Sequence, residues 1–424
     1  MNIWDLSNVK MIFYNDLAPG SFKNLRKISV WGCGSLKILF PVSIAKDLPQ
    51  LEHLRITDCG VEEIVSKGDG VEEQPVSFEF PQVSYLEVSG VEKLKCFYEG
   101  QHTIVWPMLK KLTTDSSALL KIVASEHLGL IQGNEQSVLL GEEGIPKLEE
   151  LVLRNFGGSP FSLFPFVRRF YNLERLEVSH FDFKHVVPCK GSAGTLPPIR
   201  NLKLVSVRNL KHIWRKDSEL DHILSNLQTL TVHNCDDWIN IRVFSSSLQN
   251  LTNLNVSLCG MMTNLVTPSV LKNLVQLTTI KVEDCTEMTE IVGNEGDCHQ
   301  TIVVSKLKCL QLCNLKRLTS FCPRYYNFEF PCLEELVVEH CPWLKIFSEG
   351  VLSTPQLQRI KQSRYHEKWR WTSDLNITIQ QLYTEKDGLN DPYDFNISDT
   401  FPESIEIWTR NPQEILGFKN LSSL

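Results

Sequence analysis

The sequence predicts an α/β solenoid, a horseshoe-like stack of turns with a parallel β-sheet on the concave face and a mostly irregular or short-helical convex side. Three observations lead there. Segments FKNLRKISVWGCGSLKILF from Phe22, LVQLTTIKVEDCTEMTEIV from Leu274 and FPCLEELVVEHCPWLKIF from Phe330 align on one core, Leu-x-x-Leu-x-Val-x-x-Cys-x-x-Leu-x-x-Ile, with apolar residues interchanging. The second apolar position recurs at Ile28, Leu54, Leu86, Leu112, Leu151, Leu176, Leu202, Leu230, Leu254, Ile280, Leu310, Leu336 and Ile360. The mean step of about 28 residues is that of a leucine-rich repeat. Within a unit, Ile280 and Val282 alternate as on a strand, and Cys285, Met288 and Ile291 follow at three-residue steps that turn the chain over the core. A lone turn has nothing to bury against, so stability is shared between stacked neighbours.

Along the chain, residues 1–21 read as a partial repeat and 22–385 as an array of about thirteen units. The polar stretches SKGDGVEEQP after Val65 and SEHLGLIQGNEQSVLLGEEG after Ala124 are expected to bulge from the rims or the convex side. Short helices are expected over Val42–Leu48 after Pro41, and over Val270–Leu274 with Ser269 as cap. Leu375, Ile379 and Leu382 fall at i, i+4 and i+7 and predict a helix that closes the array. Residues 386–400 are rich in Asp, Asn, Gly and Pro and read as a linker. Residues 401–424 read as the start of a second, truncated array, because Phe418-Lys419-Asn420-Leu421 echoes Phe22-Lys23-Asn24-Leu25. Neither end has the polar cap a solenoid needs, so a piece of a longer polypeptide, or a truncated gene product, is expected.

Composition narrows the function. The 424 residues are 42% apolar and 22% charged, which excludes wholesale disorder. A net charge of −7 argues against nucleic acid as a partner, since phosphate neutralisation needs a basic surface. No apolar run is long enough for a transmembrane helix, and the N-terminus has no secretory pattern, so an intracellular, reducing location is expected. Thirteen cysteines are then expected as free thiols. Six of them (Cys33, Cys59, Cys235, Cys259, Cys285 and Cys341) share one framework position and read as small buried hydrophobes. Cys309 and Cys313 lie too far apart on a strand, roughly 13 Å, to bind one ion. Phosphate-cradling loops and nucleophile-elbow and zincin motifs are missing from the sequence, so neither a cofactor nor enzyme activity is expected. The run Arg359, Lys361, Arg364, Lys368 and Arg370, interleaved with Tyr365, Trp369 and Trp371, reads as the packed edge of the closing turn.

Outward strand positions alternate with buried ones and so form a continuous inner surface. Along the array this candidate protein-binding face carries Trp31, Arg55, Tyr85, Glu87, Asp115, Arg154, Glu177, Lys203, His233, Lys281, Glu283, Asp284, Glu335, Glu339 and His340. Its late part, with Glu283, Asp284, Glu335 and Glu339 against Lys281, is expected to attract a basic protein surface.

The irregular Cys-x-x-Leu repeat resembles the C-terminal leucine-rich region of plant intracellular coiled-coil, nucleotide-binding disease-resistance proteins. Phe330-Pro331-Cys332-Leu333-Glu334-Glu335-Leu336, His340-Cys341-Pro342-Trp343-Leu344-Lys345-Ile346-Phe347 and Asp374-Leu375-Asn376-Ile377-Thr378-Ile379-Gln380-Gln381-Leu382 carry the resemblance, which covers Phe22 to Glu385. It implies protein recognition in innate immunity, restraint of a nucleotide-binding switch domain, or both, with a pathogen effector, a guarded host protein, or the nucleotide-binding domain of a parent receptor as partner. The coiled-coil and nucleotide-binding parts have no counterpart in the sequence. The alternatives are a ubiquitin-ligase substrate adaptor and a non-functional gene product.

Overall fold

The computed structural model describes residues 1–13, 20–67, 75–115, 118, 145–156, 163–182, 197–209, 225–236, 248–295, 300–366 and 368–387. The chain divides into Met1–Tyr383 and Thr384–Leu424. The first unit is a solenoid built on a sheet of fifteen strands among the described residues. They are Asn2–Trp4, Lys27–Trp31, His53–Thr57, Tyr85–Ser89, Lys111–Asp115, Glu150–Arg154, Arg175–Ser179, Asn201–Val205, Thr229–His233, Asn253–Ser257, Thr279–Glu283, Cys309–Cys313, Glu335–Glu339, Ile360–Lys361 and Trp369–Arg370. Every pairing is parallel except the last, where Ile360 meets Arg370 antiparallel.

The thirteen recurring positions of the motif are direct neighbours across this sheet, from Ile28 against Leu54 to Leu336 against Ile360. None is more than 4% exposed. A slip by one residue would turn this whole column to solvent, so burial fixes the register.

Most strands are followed directly by a residue with positive φ: Asp58, Asn155, His180, Ser206, Asn234, Leu258, Asp284, Asn314 and His340, with glycine at Gly32 and Gly90. In all of these but Gly90 and His340 the residue sends its amide to the last strand carbonyl of the next turn, as from Asp58 to Ser89 and from Asn314 to Glu339 (3.0 and 2.9 Å). The chain thereby gains one more inter-turn hydrogen bond before it reverses. At Gly90 a Cβ would meet Asp58 Oδ1 at 2.1 Å, so glycine is required there for space as well as for φ.

The opposite side holds short helices and also short parallel ladders. Ile38–Pro41, Glu63–Ser66 and Cys96–Tyr98 form one, Thr301–Val303, Asn327–Glu329 and Leu352–Ser353 another, and Val76–Glu79 pairs with His102–Val105. Aromatic side chains fill the space beneath, with Phe321 stacked on Phe347 at 4.6 Å and Phe80 on Trp106 at 4.4 Å. The first expected helix spans Val42–Ala45. The second starts earlier than expected, as Pro268–Asn273 with Thr267 before it, and Ser269 lies inside it bonded to Glu295. Proline at the first helical position sets φ in advance, and no side-chain cap is made. The closing helix is Leu375–Asp387, with Leu375, Ile379 and Leu382 buried. Asp374 Oδ1 accepts the Ile377 amide at 2.9 Å and caps its start. The helix runs two residues into the stretch expected as a linker; the rest of 386–400 and all of 401–424 lie outside the described residues.

Candidate functional site

In each five-residue strand the second and fourth side chains enter the core. The first, third and fifth point outward and fall into three columns, because the register is exact from turn to turn. The sequence-derived face lies on these columns, except that Asp284 and His340 stand one residue past the strand, in the positive-φ position.

Three expected surface acids are buried. Glu87 is 3%, Asp115 5% and Glu339 7% exposed. Alternation sets only the direction of a side chain. Strands about 4.8 Å apart let long neighbours cover a shorter one. Glu87 accepts from Tyr85 Oη at 2.5 Å and pairs with Arg55 at 3.0 Å and Arg154 at 3.3 Å. Burial, then the Glu87 hydrogen bond, pushes the Tyr85 phenol up to about 12, so it stays a neutral donor. Asp115 bridges two turns through their backbone, accepting from the Gly90 amide of the preceding turn at 2.6 Å and the Ala118 amide of its own at 3.0 Å. Trp31 Nε1 donates to Asp58 at 3.0 Å. Beside this cluster, Glu150 takes Lys111 at 2.6 Å and Arg175 at 3.0 Å, and Lys203 pairs with Glu177 at 3.3 Å. Burial opposes the charge of Glu150, but its two cations hold its carboxyl below the usual range.

At the other end one cation from within the chain, Arg364, offsets part of the expected acidic surplus. Gln362 donates to the Lys368 carbonyl at 2.8 Å, closing a hairpin that lays Arg364 over the fifth column. Its guanidinium reaches Glu283 at 2.5 Å and Glu339 at 3.0 Å, two strands apart, with Cys313 on the strand between. Burial works against the Arg364 charge, and hydrogen bonding to Glu283 more than restores it. Arg359 lies over the Trp369 ring at 3.7 Å and anchors the base of the hairpin. Burial, then Glu283, raises the Asp284 carboxyl. His340 Nδ1 lies 3.0 Å from Asn314 Oδ1, and Glu335 Oε2 is 3.8 Å from Cys309 Sγ.

Between these ends, the strands Asn201–Val205, Thr229–His233, Asn253–Ser257 and Thr279–Glu283 have no outward residue that is fully buried. Of the sequence-derived set, Lys203, His233, Lys281 and Glu283 stand here. Most of this stretch is uncharged. Asn253 donates to Thr229 at 3.5 Å, Asn255 to Thr231 at 3.4 Å, and His233 Nδ1 meets Ser257 Oγ at 2.8 Å. Burial, then Lys203, lowers the His233 imidazole, so it is neutral at pH 7. Sequence reading passed over Thr229, Thr231, Asn253, Asn255 and Ser257 because it sought charged and aromatic residues; the motif register was the signal that placed them together.

The described residues hold no cluster of side chains fit to bind a metal ion and no helix long and apolar enough to cross a membrane. The framework cysteines are buried thiols. Burial pushes the Cys59 thiol up to about 11 and the Cys235 thiol up to about 12; the Cys259 hydrogen bond, then burial, pushes Cys285 up as well. Alkylation of the folded protein by iodoacetamide at pH 8 should therefore spare Cys59, Cys235 and Cys285, while denaturant releases all thirteen cysteines. Rapid labelling of Cys235 in the folded chain, read by peptide mass, would show that this packing does not hold.

The chain matches a family model described as plant disease resistance protein RPS2-like, leucine-rich repeats, over residues 1–60, 125–249 and 238–363. It is similar to a probable disease resistance protein of Arabidopsis thaliana, 27% identical over 194 residues, which covers 45% of this chain and 20% of that protein. A second protein of that plant, likewise named as a disease resistance protein, is 24% identical over 234 residues, 49% of this chain and 25% of that protein. The chain thus spans a quarter or less of the length of these relatives. Among solved structures, the crystal structure of a TLR13–ssRNA13 complex aligns with 85% of this chain and 62% of its own, at 15% identity and a TM-score of 0.33.

Proposed function

The chain belongs to the plant disease resistance family with RPS2-like leucine-rich repeats, and on that premise we propose that its strand face recognises protein. The partner is a pathogen-derived or host protein, the nucleotide-binding domain of a parent receptor, or each in turn. The observation that supports this is the unequal treatment of the face. Glu87 in its early part, and Glu283 and Glu339 in its late part, are paired internally with Arg55, Arg154 and Arg364, and the four strands between remain accessible. A surface already satisfied by its own ion pairs gives up those contacts to bind anything else. On the four middle strands only Lys203 and Glu283 would have such contacts to give up.

The test uses the coiled-coil and nucleotide-binding part of a resistance protein, expressed separately and mixed with this chain. Asn255→Arg on the strand face should weaken co-purification by about tenfold or more. Glu329→Lys, on the opposite ladder, should leave it within roughly twofold. Loss at Glu329 with none at Asn255 would place recognition on the other side. Charge reversal at Glu283 and Glu339 is a poor probe, because those residues hold Arg364.

A further inference from the structure

One residue departs from the pattern that ends the strands. Among the described non-glycine residues with positive φ, all are Asp, Asn, Ser or His except Leu258, at φ 55°. Short polar side chains tolerate this conformation because they hydrogen-bond locally, and a leucine does not. Leu258 is also 44% exposed, and Met261, in the same turn, is 63% exposed. The chain around them is fixed. Cys259 and Met262 are fully buried, the Leu258 amide donates to the Glu283 carbonyl at 3.0 Å, and the Gly260 amide donates to Asp236 at 3.1 Å. Two apolar side chains are thus held outward on a rigid turn, in a conformation and an exposure that each disfavour leucine. Such strain persists where the surrounding structure enforces it, and it concentrates at ligand-contacting positions.

The turn borders the uncharged stretch of the face. Ser257 precedes Leu258, His233 contacts Ser257, and Asn255 lies on the same strand. We propose that Leu258 and Met261 are the apolar anchor of the recognition face, and that the occupant is a partner polypeptide segment without net charge, with one apolar side chain set among hydrogen-bonding groups. Charge complementarity selects this occupant. Thr229, Thr231, Asn253, Asn255 and Ser257 offer a charged segment no opposite charge, and the charges around them cancel in number: Lys203 is paired with Glu177, Glu283 with Arg364, and exposed Lys281, beside Asn255, is balanced by Asp284. A few residues carry most of the affinity in protein interfaces, in desolvated patches ringed by contacts that exclude water. This inference rests on the reading of the strand face as a recognition surface.

The probe is a random peptide library displayed on phage and selected on the full chain, with the dominant peptides then synthesised. They should carry an apolar residue and little net charge. Their affinity should change by less than about twofold between low and high salt, since little of it is ionic. Leu258→Asn is the decisive variant. Asparagine suits positive φ better, so the unfolding midpoint should hold or rise, while peptide affinity falls by about tenfold. A role in folding alone would give the first change without the second. Met261→Ser should weaken binding too, with no gain in stability. Binding lost on Asn255→Arg but unchanged by Leu258→Asn and Met261→Ser would overturn the anchor and leave the recognition face standing. Binding unchanged by all three variants, or no peptide selected, would overturn both. Self-association abolished by Leu258→Asn, seen by sedimentation, would also overturn the proposal, since the occupant would then be a second copy.

Discussion

Leu254→Ala is expected to destabilise the fold by about 2–5 kcal/mol, while its neighbour Asn255→Ala loses less than about 1 kcal/mol. Leu254 is fully buried, with Leu230 on one side and Ile280 on the other in the same core column. Truncation leaves a cavity that two turns share. Neither can close it without shifting its strand, and each strand is tied by its own ladder of hydrogen bonds. Asn255 points the other way and makes one long side-chain bond, to Thr231 Oγ1 at 3.4 Å. Urea unfolding of the two variants measures the difference. Comparable losses at both sites would mean that this strand sits one residue out of the register described.

The core was readable from sequence because burial enforces its own period. Ile28 through Ile360 had to be apolar to occupy one column, and their spacing alone placed them there. The ladders on the far side were not readable. Val76–Glu79 and Asn327–Glu329 lie in stretches of irregular length, where no fixed step from the motif marks a strand. The face was half readable. Alternation gave the outward direction of Glu87 and Glu339, yet their burial depends on cations far along the chain. Arg154 follows Glu87 by 67 residues and reaches it across one intervening strand. Arg364 reaches Glu283 only because a hairpin reverses the chain after the last parallel strand. Contacts of that kind depend on the length of loops and the fold of a chain end, and a repeat motif encodes neither. The positive-φ position had a faint signal in its run of Asp, Asn, Ser, His and Gly, which becomes legible once the strand ends are known.

Removing both cations of the early cluster, Arg55→Ala with Arg154→Ala, should lower stability by about 3 kcal/mol, more than the sum of the single changes. The Glu87 side chain is 4% exposed beside the buried Thr113, so with both arginines gone its carboxylate would keep Tyr85 alone as a protein donor and reach water only through the gap their side chains leave. Each single variant leaves one guanidinium in place and should lose about 1 kcal/mol, the scale of a partly solvated pair, since Arg55 and Arg154 are 42% and 32% exposed. Adding Glu87→Gln to the double variant removes the stranded charge while preserving shape and an acceptor for Tyr85, and should restore much of the loss. A merely steric role for the arginines predicts no rescue, because the substituted glutamine would fill the same volume with the same missing neighbours. Additive singles, or a triple variant no more stable than the double, would show that Glu87 is hydrated in solution. The early strands would then present a free carboxylate and compete with the uncharged middle stretch as the place where a partner docks.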